Sequence, residues 1–258
     1  RWGQRLGHSK VVDGMTQDGF HCALAEMVMG ETVERFIAAE RGISRSDQDA
    51  YALSSQQRAE EAWKAGKFRP EVFSIPAEGK FAGLDDDEHR RGSTTLESLA
   101  KLPPVFDPKT GTITPGNSTG ITDGAAFVFV SSDPAGAQAE ILGIETVAID
   151  PRRMGIAPVK AIPALLSRFS LAIDDIEAVE INEAFAAQVI ACQRDLRIAS
   201  EKLNAWGGSI AIGHPIGASG TRVLVTLLSR LAGKKGALGL ASLCVSGGQG
   251  VAILVRAC

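Results

Sequence analysis

A chain of 258 residues with 45% hydrophobic and 22% charged side chains holds enough apolar material for a substantial core, which excludes a disordered tail and a small disulfide-stapled module. Its 27 basic and 30 acidic residues leave a formal charge of −3, with no electrostatic footprint for nucleic acid or an anionic membrane. No run approaches the ~18–20 apolar residues of a membrane span, and Cys22, Cys192, Cys244 and Cys258 form no C-x-x-C pair, which argues against zinc and a disulfide framework and for a reducing, cytoplasmic setting.

The chain opens at Arg1 without an initiator Met, and Arg1 to Gly7 reads as mid-loop. The expectation is a fragment whose natural N-terminus is absent, which leaves organellar import open. Glu31 to Arg91 carries 23 charged residues in 61, against 28 in the 167 from Gly92 to Cys258, so a solvent-facing region precedes a more buried half. Val33, Phe36 and Ile37 share a helical face that Gly42 can end in the left-handed conformation. Ser44 and Asp47 resemble an N-cap with an acidic first turn, and Tyr51, Ser55, Ala59, Ala62 and Trp63 continue at helical spacing to Gly66. From there to Thr114 the chain reads as loop, its acidic run Asp85 to Glu88 solvated rather than metal-binding.

The period then changes. Ala125 to Val130 and Glu140 to Ile149 read as strands, Pro163 to Leu171 as a helix, Ile176 to Ile181 as a strand and Glu183 to Leu196 as a helix. A Gly-rich turn leads to a helix from Ala218 to Leu231 and strands at Ala237 to Leu243 and Val251 to Val255. Strands alternating with helices predict an α/β layered core, and ligands in such sheets sit beyond the carboxyl ends of strands. Asn182 and Cys244 fall at such ends.

Three clusters carry chemistry: Asn182-Glu183-Ala184-Phe185, Gly213-His214-Pro215 within Gly207 to Gly220, and Cys244 to Gly250. A thiol must lose its proton to act as nucleophile or base, a neutral imidazole can take that proton, and an amide can orient a water or an oxyanion. Singly, each residue is as well explained by packing; as a set they point to a catalytic site. Cys192, inside a helix, and Cys258, at the terminus, read as structural or incidental.

These clusters resemble the three C-terminal signatures of the thiolases, the acetyl-CoA acetyltransferases and 3-ketoacyl-CoA thiolases. Upstream, Met29-Gly30-Glu31-Thr32, Thr95 to Pro103, Gly116-Asn117-Ser118-Thr119-Gly120 and Asp123-Gly124-Ala125-Ala126 match in consistent order. The resemblance implies an αβαβα layered fold, divided here into a helical, CoA-contacting loop domain at 1–119, a last strand segment of the N-terminal core half at 120–138 and the C-terminal half at 139–258. It implies that His214 activates a nucleophilic cysteine and, with a water held by Asn182, binds the thioester oxygen. Cys244 would move the α-proton, and the Ser246 N–H, where many relatives have Gly, would serve a second oxyanion hole. Ser98, Arg91, Thr119 and Met29 match substrate- and CoA-binding positions. No metal and no covalent cofactor is implied; CoA and acyl-CoA are substrates, and the assembly would be a dimer or tetramer. Trp206 and the Ser246 variant lean toward the β-oxidation branch of fatty-acid metabolism.

Nothing in the chain matches the family's nucleophile motif. The resulting expectation is that the N-terminal half carrying that cysteine is missing and must be supplied as a partner, by a ping-pong route in which the acyl group rides on a sulfur outside this chain. Two alternatives stand beside it. One is an inactive chain serving only as an assembly partner. The other, remote, is a serine hydrolase, because Gly116 to Gly120 fits G-x-S-x-G with Ser118 as nucleophile.

Overall fold

A computed structural model describes residues 3–80 and 82–258; Arg1 and Trp2, the start of the expected opening loop, lie outside the described residues. A two-residue hairpin, β1 (His21–Cys22) with β2 (Met27–Val28), leads into α1 (Met29–Val33), which continues in wider helical turns to Ala38. Gly42 stops the rod at φ +59°, as its position predicts. The long helix α2 (Arg45–Lys64) then starts on a reciprocal cap. Ser44 Oγ accepts from the Asp47 N–H at 3.1 Å, and the Asp47 carboxylate accepts from the Ser44 N–H at 3.2 Å. Two further short pieces appear in the expected loop: an Ile75–Leu84 bridge, and α3 (Leu96–Ala100), capped by Thr95.

The core sheet follows. Its four strands run in the order β3 (Ala139–Ala148), β6 (Gln249–Ala257), β5 (Leu238–Val245), β4 (Ala178–Ile181). β3/β6 and β6/β5 are antiparallel, and β5/β4 is parallel, with Ile181 opposite Ser242. Helices α4 (Pro158–Ser167) and α5 (Ala186–Leu196) cover one face through Ile162, Leu165, Val189 and Cys192. Helix α7 (Ser219–Leu231) covers the other through Val223, Leu227 and Leu231, one turn apart and all essentially inaccessible. Each such burial stabilises by about 1.5–3 kcal/mol relative to exposure. With helices on both faces every residue of β4 is buried, so its pattern is a continuous apolar run broken only by Glu180. The polar region packs on this unit through α2, which lies on α5 and on the short helix α6 (Ser209–Ile212).

Two expectations need correction. The helix expected from Pro163 begins at Pro158. Proline suits a first helical turn, and this segment offers Pro158 and Pro163; the earlier one takes that place and Pro163 sits inside the helix. The strand expected at 125–130, part of the segment assigned to 120–138, joins no ladder among the described residues. Phe127, Phe129 and Val130 are 64%, 94% and 76% exposed. β-propensity describes which side chains suit a pleated surface; a strand exists only with a hydrogen-bonded neighbour.

Candidate active site

The site begins where β4 ends. Asn182 follows Ile181 directly, and its N–H still donates to Ser242 O at 3.0 Å, so the side chain is held at the carboxyl edge of the parallel pair. Asn182 is buried, and its Nδ2 lies 3.3 Å from His214 Nε2. His214 sits between Gly213 and Pro215. Gly213 has φ +95°, and a Cβ there would lie 2.7 Å from the Thr122 side chain, so the approach to His214 needs glycine on both counts. The other ring nitrogen, Nδ1, is hydrogen-bonded to Ser219 Oγ, which donates to Pro215 O at 2.9 Å. Burial, then the nearby charge of Arg222, push the His214 pKa down to about 4, so the ring is neutral at pH 7.

Cys244 lies near the carboxyl end of β5, the strand beside β4, paired with Gly250 of β6. Burial pushes its thiol up to about 12, so at neutral pH it is a proton donor. Among the described residues no hydrogen bond joins Cys244 Sγ to His214 or Asn182. The strand then turns through Ser246, with Gly247 and Gly248 at φ +81° and +84°. Beneath this turn lies Cys22, whose Sγ accepts from the Gly247 N–H at 3.3 Å. Burial raises the Cys22 thiol, but bonds from the Ser246 side chain and from the backbone at Ala25, Gly247 and Leu24 outweigh it and leave the pKa lowered.

The CoA-binding candidates divide. Thr119 joins the site, its N–H donating to Ala184 O at 3.1 Å and its Oγ1 to Ser209 O at 2.9 Å. Arg91 is exposed and linked one step away: its N–H donates to Gln56 Oε1 at 2.9 Å, and Gln56 Nε2 to Ile210 O at 3.2 Å. Ser98 is exposed, and its hydroxyl is occupied by the cap of α3, donating to Thr95 O at 2.8 Å. Met29 opens α1 and, like Phe106 and Phe185, packs against the buried apolar group that includes Val33, Ile37, Leu99 and Ile113. Ser118 donates to Thr114 O at 2.7 Å from a turn with an isolated bridge to Phe185. It lacks the strand–turn–helix setting of a nucleophile elbow, which removes the hydrolase reading. Among the described residues no group of three or more His, Cys, Asp and Glu is placed to hold a metal ion.

Sequence reasoning gave no role to three residues around this centre, although Glu183 and Ser209 lie within its clusters. Glu183, buried, accepts from Tyr51 Oη at 2.8 Å, Ser55 Oγ at 2.6 Å, Asn204 Nδ2 at 3.1 Å and the Ile210 N–H at 3.2 Å. Ser209 Oγ lies 2.6 Å from Asn182 Oδ1, and Arg222 Nη2 lies 2.9 Å from Ser209 Oγ. Their signal is tertiary: each partner is 13 or more residues away in sequence.

The family model for the thiolase C-terminal domain matches residues 135–257, and that for the N-terminal domain matches residues 1–133. The chain belongs to the thiolase family. The acetyl-CoA acetyltransferase of Pseudomonas aeruginosa is 43% identical over 265 residues, covering 98% of this chain and 66% of its own length. The crystal structure of the Bacillus anthracis acetyl-CoA acetyltransferase superposes with a TM-score of 0.90 at 36% identity, covering 100% of this chain and 67% of that one. That of human mitochondrial 3-ketoacyl-CoA thiolase in complex with CoA does so at 0.88 and 37%, covering 100% and 66%. This thiolase chain thus spans about two thirds of the length of the curated relatives it matches. The match over 1–133 corrects the expectation that the N-terminal domain is wanting and must come from elsewhere. The lack of one recognisable nucleophile motif is not the lack of a domain. The α/β thiolase fold itself is as the motifs implied.

Proposed function

We propose that this thiolase chain acts as an acyltransferase, cleaving a 3-ketoacyl-CoA with CoA or, in the opposite direction, joining acetyl-CoA units by Claisen condensation. The observation that carries this reading is the Asn182–His214 pair, 3.3 Å apart at the edge of the strand beside the one that bears Cys244. The route is ping-pong through a cysteine thioester, whose acyl-carrying sulfur none of the three motif clusters supplies. His214 Nε2, unprotonated at neutral pH, takes the proton of an attacking thiol; the resulting imidazolium and a water on Asn182 then face the thioester oxygen. Cys244, protonated at rest, donates to the departing enolate in thiolysis and, once deprotonated, removes the α-proton in condensation. The Ser246 N–H supplies the second oxyanion contact. Thr119, Arg91, Ser98 and Met29 belong to the CoA side, Arg91 as the phosphate contact. Residues 1–119 form the CoA-contacting loop domain, 120–138 the last segment of the N-terminal core half, and 139–258 the C-terminal core half.

Free, unpaired cysteines support a reducing, cytoplasmic location, and the exposed apolar residues Ile121, Phe127, Phe129 and Val130 support a dimer or tetramer. The same apolar strip favours a second reading, a chain that only assembles and does not turn over. Acetoacetyl-CoA cleavage decides between them. Turnover that falls by orders of magnitude in His214→Ala supports the enzyme; no turnover in the wild-type chain leaves the assembly reading.

A further inference from the structure

Both ends of one hydrogen-bond chain rest on the first turns of α7, where Ser219 and Arg222 stand three residues apart. From Arg222 Nη2 the chain passes to Ser209 Oγ (2.9 Å), Asn182 Oδ1 (2.6 Å), across the amide from Nδ2 to His214 Nε2 (3.3 Å), then from Nδ1 to Ser219 Oγ and on to Pro215 O (2.9 Å). We propose that Arg222 and Ser209 are positioning residues that set the direction of this chain, and so hold His214 in the Nδ1–H tautomer, whose Nε2 carries the lone pair that faces Asn182 Nδ2 and can take a proton.

The argument is one of donor and acceptor counting. A guanidinium can only donate and a carbonyl oxygen can only accept, so the two ends of the chain are fixed. Ser209 Oγ accepts from Arg222, and its own proton has Asn182 Oδ1 as its acceptor. With Oδ1 turned to Ser209, the amide must present Nδ2–H to His214, and Nε2 must accept. At the far end, Ser219 donates to Pro215 O, so it accepts from Nδ1–H. Reversing the amide would strand the hydroxyl proton of Ser209, a residue with no solvent exposure. Arg222 is tied to this place. Its Nε and Nη1 are buried without a hydrogen-bond partner among the described residues, while Glu180, Glu183, Glu71 and Asp87 hold its charge electrostatically.

This inference rests on the acyltransferase reading for its kinetic consequence, but not for its spectroscopic one. Nitrogen-15 NMR of the full chain with labelled imidazoles, the His214 signals assigned by their loss in His214→Gln, reads the tautomer directly. The expected result is the Nδ1–H form in the wild type, a mixture or the Nε2–H form in Ser209→Ala, and return of the Nδ1–H form in Ser209→Thr. In acetoacetyl-CoA thiolysis Ser209→Ala should lower kcat about tenfold with KM within about twofold, the size of one lost oriented hydrogen bond. An Nε2–H wild type overturns the proposal without any variant, as does a Ser209→Ala protein that keeps the wild-type tautomer. A chain without turnover that still shows the Nδ1–H form and loses it in Ser209→Ala keeps the relay and removes the acyltransferase reading.

Discussion

Ser55 Oγ donates to Glu183 Oε2 across 2.6 Å, joining the middle of α2 to the residue after Asn182, 128 positions later in the chain. With Tyr51, Asn204 and the Ile210 N–H on the same carboxylate, Glu183 is the knot between the polar region and the carboxyl edge of the sheet. Gly208 passes so close that a Cβ there would lie 2.4 Å from Glu183 Cδ.

Glu183→Gln tests this knot. The amide replaces one acceptor oxygen by a donor facing groups that already donate, so the variant should lose about 2–4 kcal/mol in urea unfolding. A loss within error of zero would show that α2 is held by apolar contacts alone.

Acid stability follows from His214. Its folded pKa is lowered from 6.5 to about 4, because burial and then Arg222 disfavour the charged ring. The unfolded chain therefore binds the proton first as pH falls. The stability owed to the neutral buried ring is present above pH 6.5 and lost as pH drops from 6.5 toward 4. Unfolding free energies of the wild type and His214→Gln, compared between pH 7 and pH 4, should converge over that window. Parallel profiles would mean that the imidazole titrates as in water.

Cys244→Ala separates two roles. If Cys244 is the α-carbon acid and base, condensation of acetyl-CoA should fall by about 10²–10⁴ in this variant. Exchange of the acyl group between CoA molecules needs no α-proton transfer and should survive within about tenfold. Equal loss of both reactions, followed by isotope exchange, would argue for a role in acylation instead.

How far the chain could be read before folding depends on the range of the forces involved. The Ser44–Asp47 cap, the Gly42 stop and the βα alternation after residue 139 are local and were legible. The placement of Asn182 and Cys244 at strand ends and of His214 in a glycine-flanked turn was legible because it is written into neighbouring positions. Glu183, Ser209 and Arg222 were not, since their meaning lies in partners remote in sequence. Cys22 belongs with them, since its contact with the Gly247 N–H joins positions 225 residues apart. The segment 125–130 shows the opposite failure, a local β signal with no ladder to join.

That segment makes its own prediction. Phe129 is 94% exposed, so Phe129→Glu should change unfolding stability by no more than about 0.5 kcal/mol. It should weaken self-association in sedimentation velocity if the apolar strip is the contact between copies. An unchanged sedimentation profile would move the assembly surface elsewhere.

The central claim is that the amide of Asn182 and the imidazole of His214 act as one device on a thioester. A double-mutant cycle in acetoacetyl-CoA thiolysis measures this most directly. Asn182→Ala and His214→Ala should each lower kcat/KM, and the double variant should be scarcely slower than His214→Ala alone, because groups acting as a unit are strongly non-additive. Losses that simply multiply, or single variants that cleave at the wild-type rate, would contradict the account.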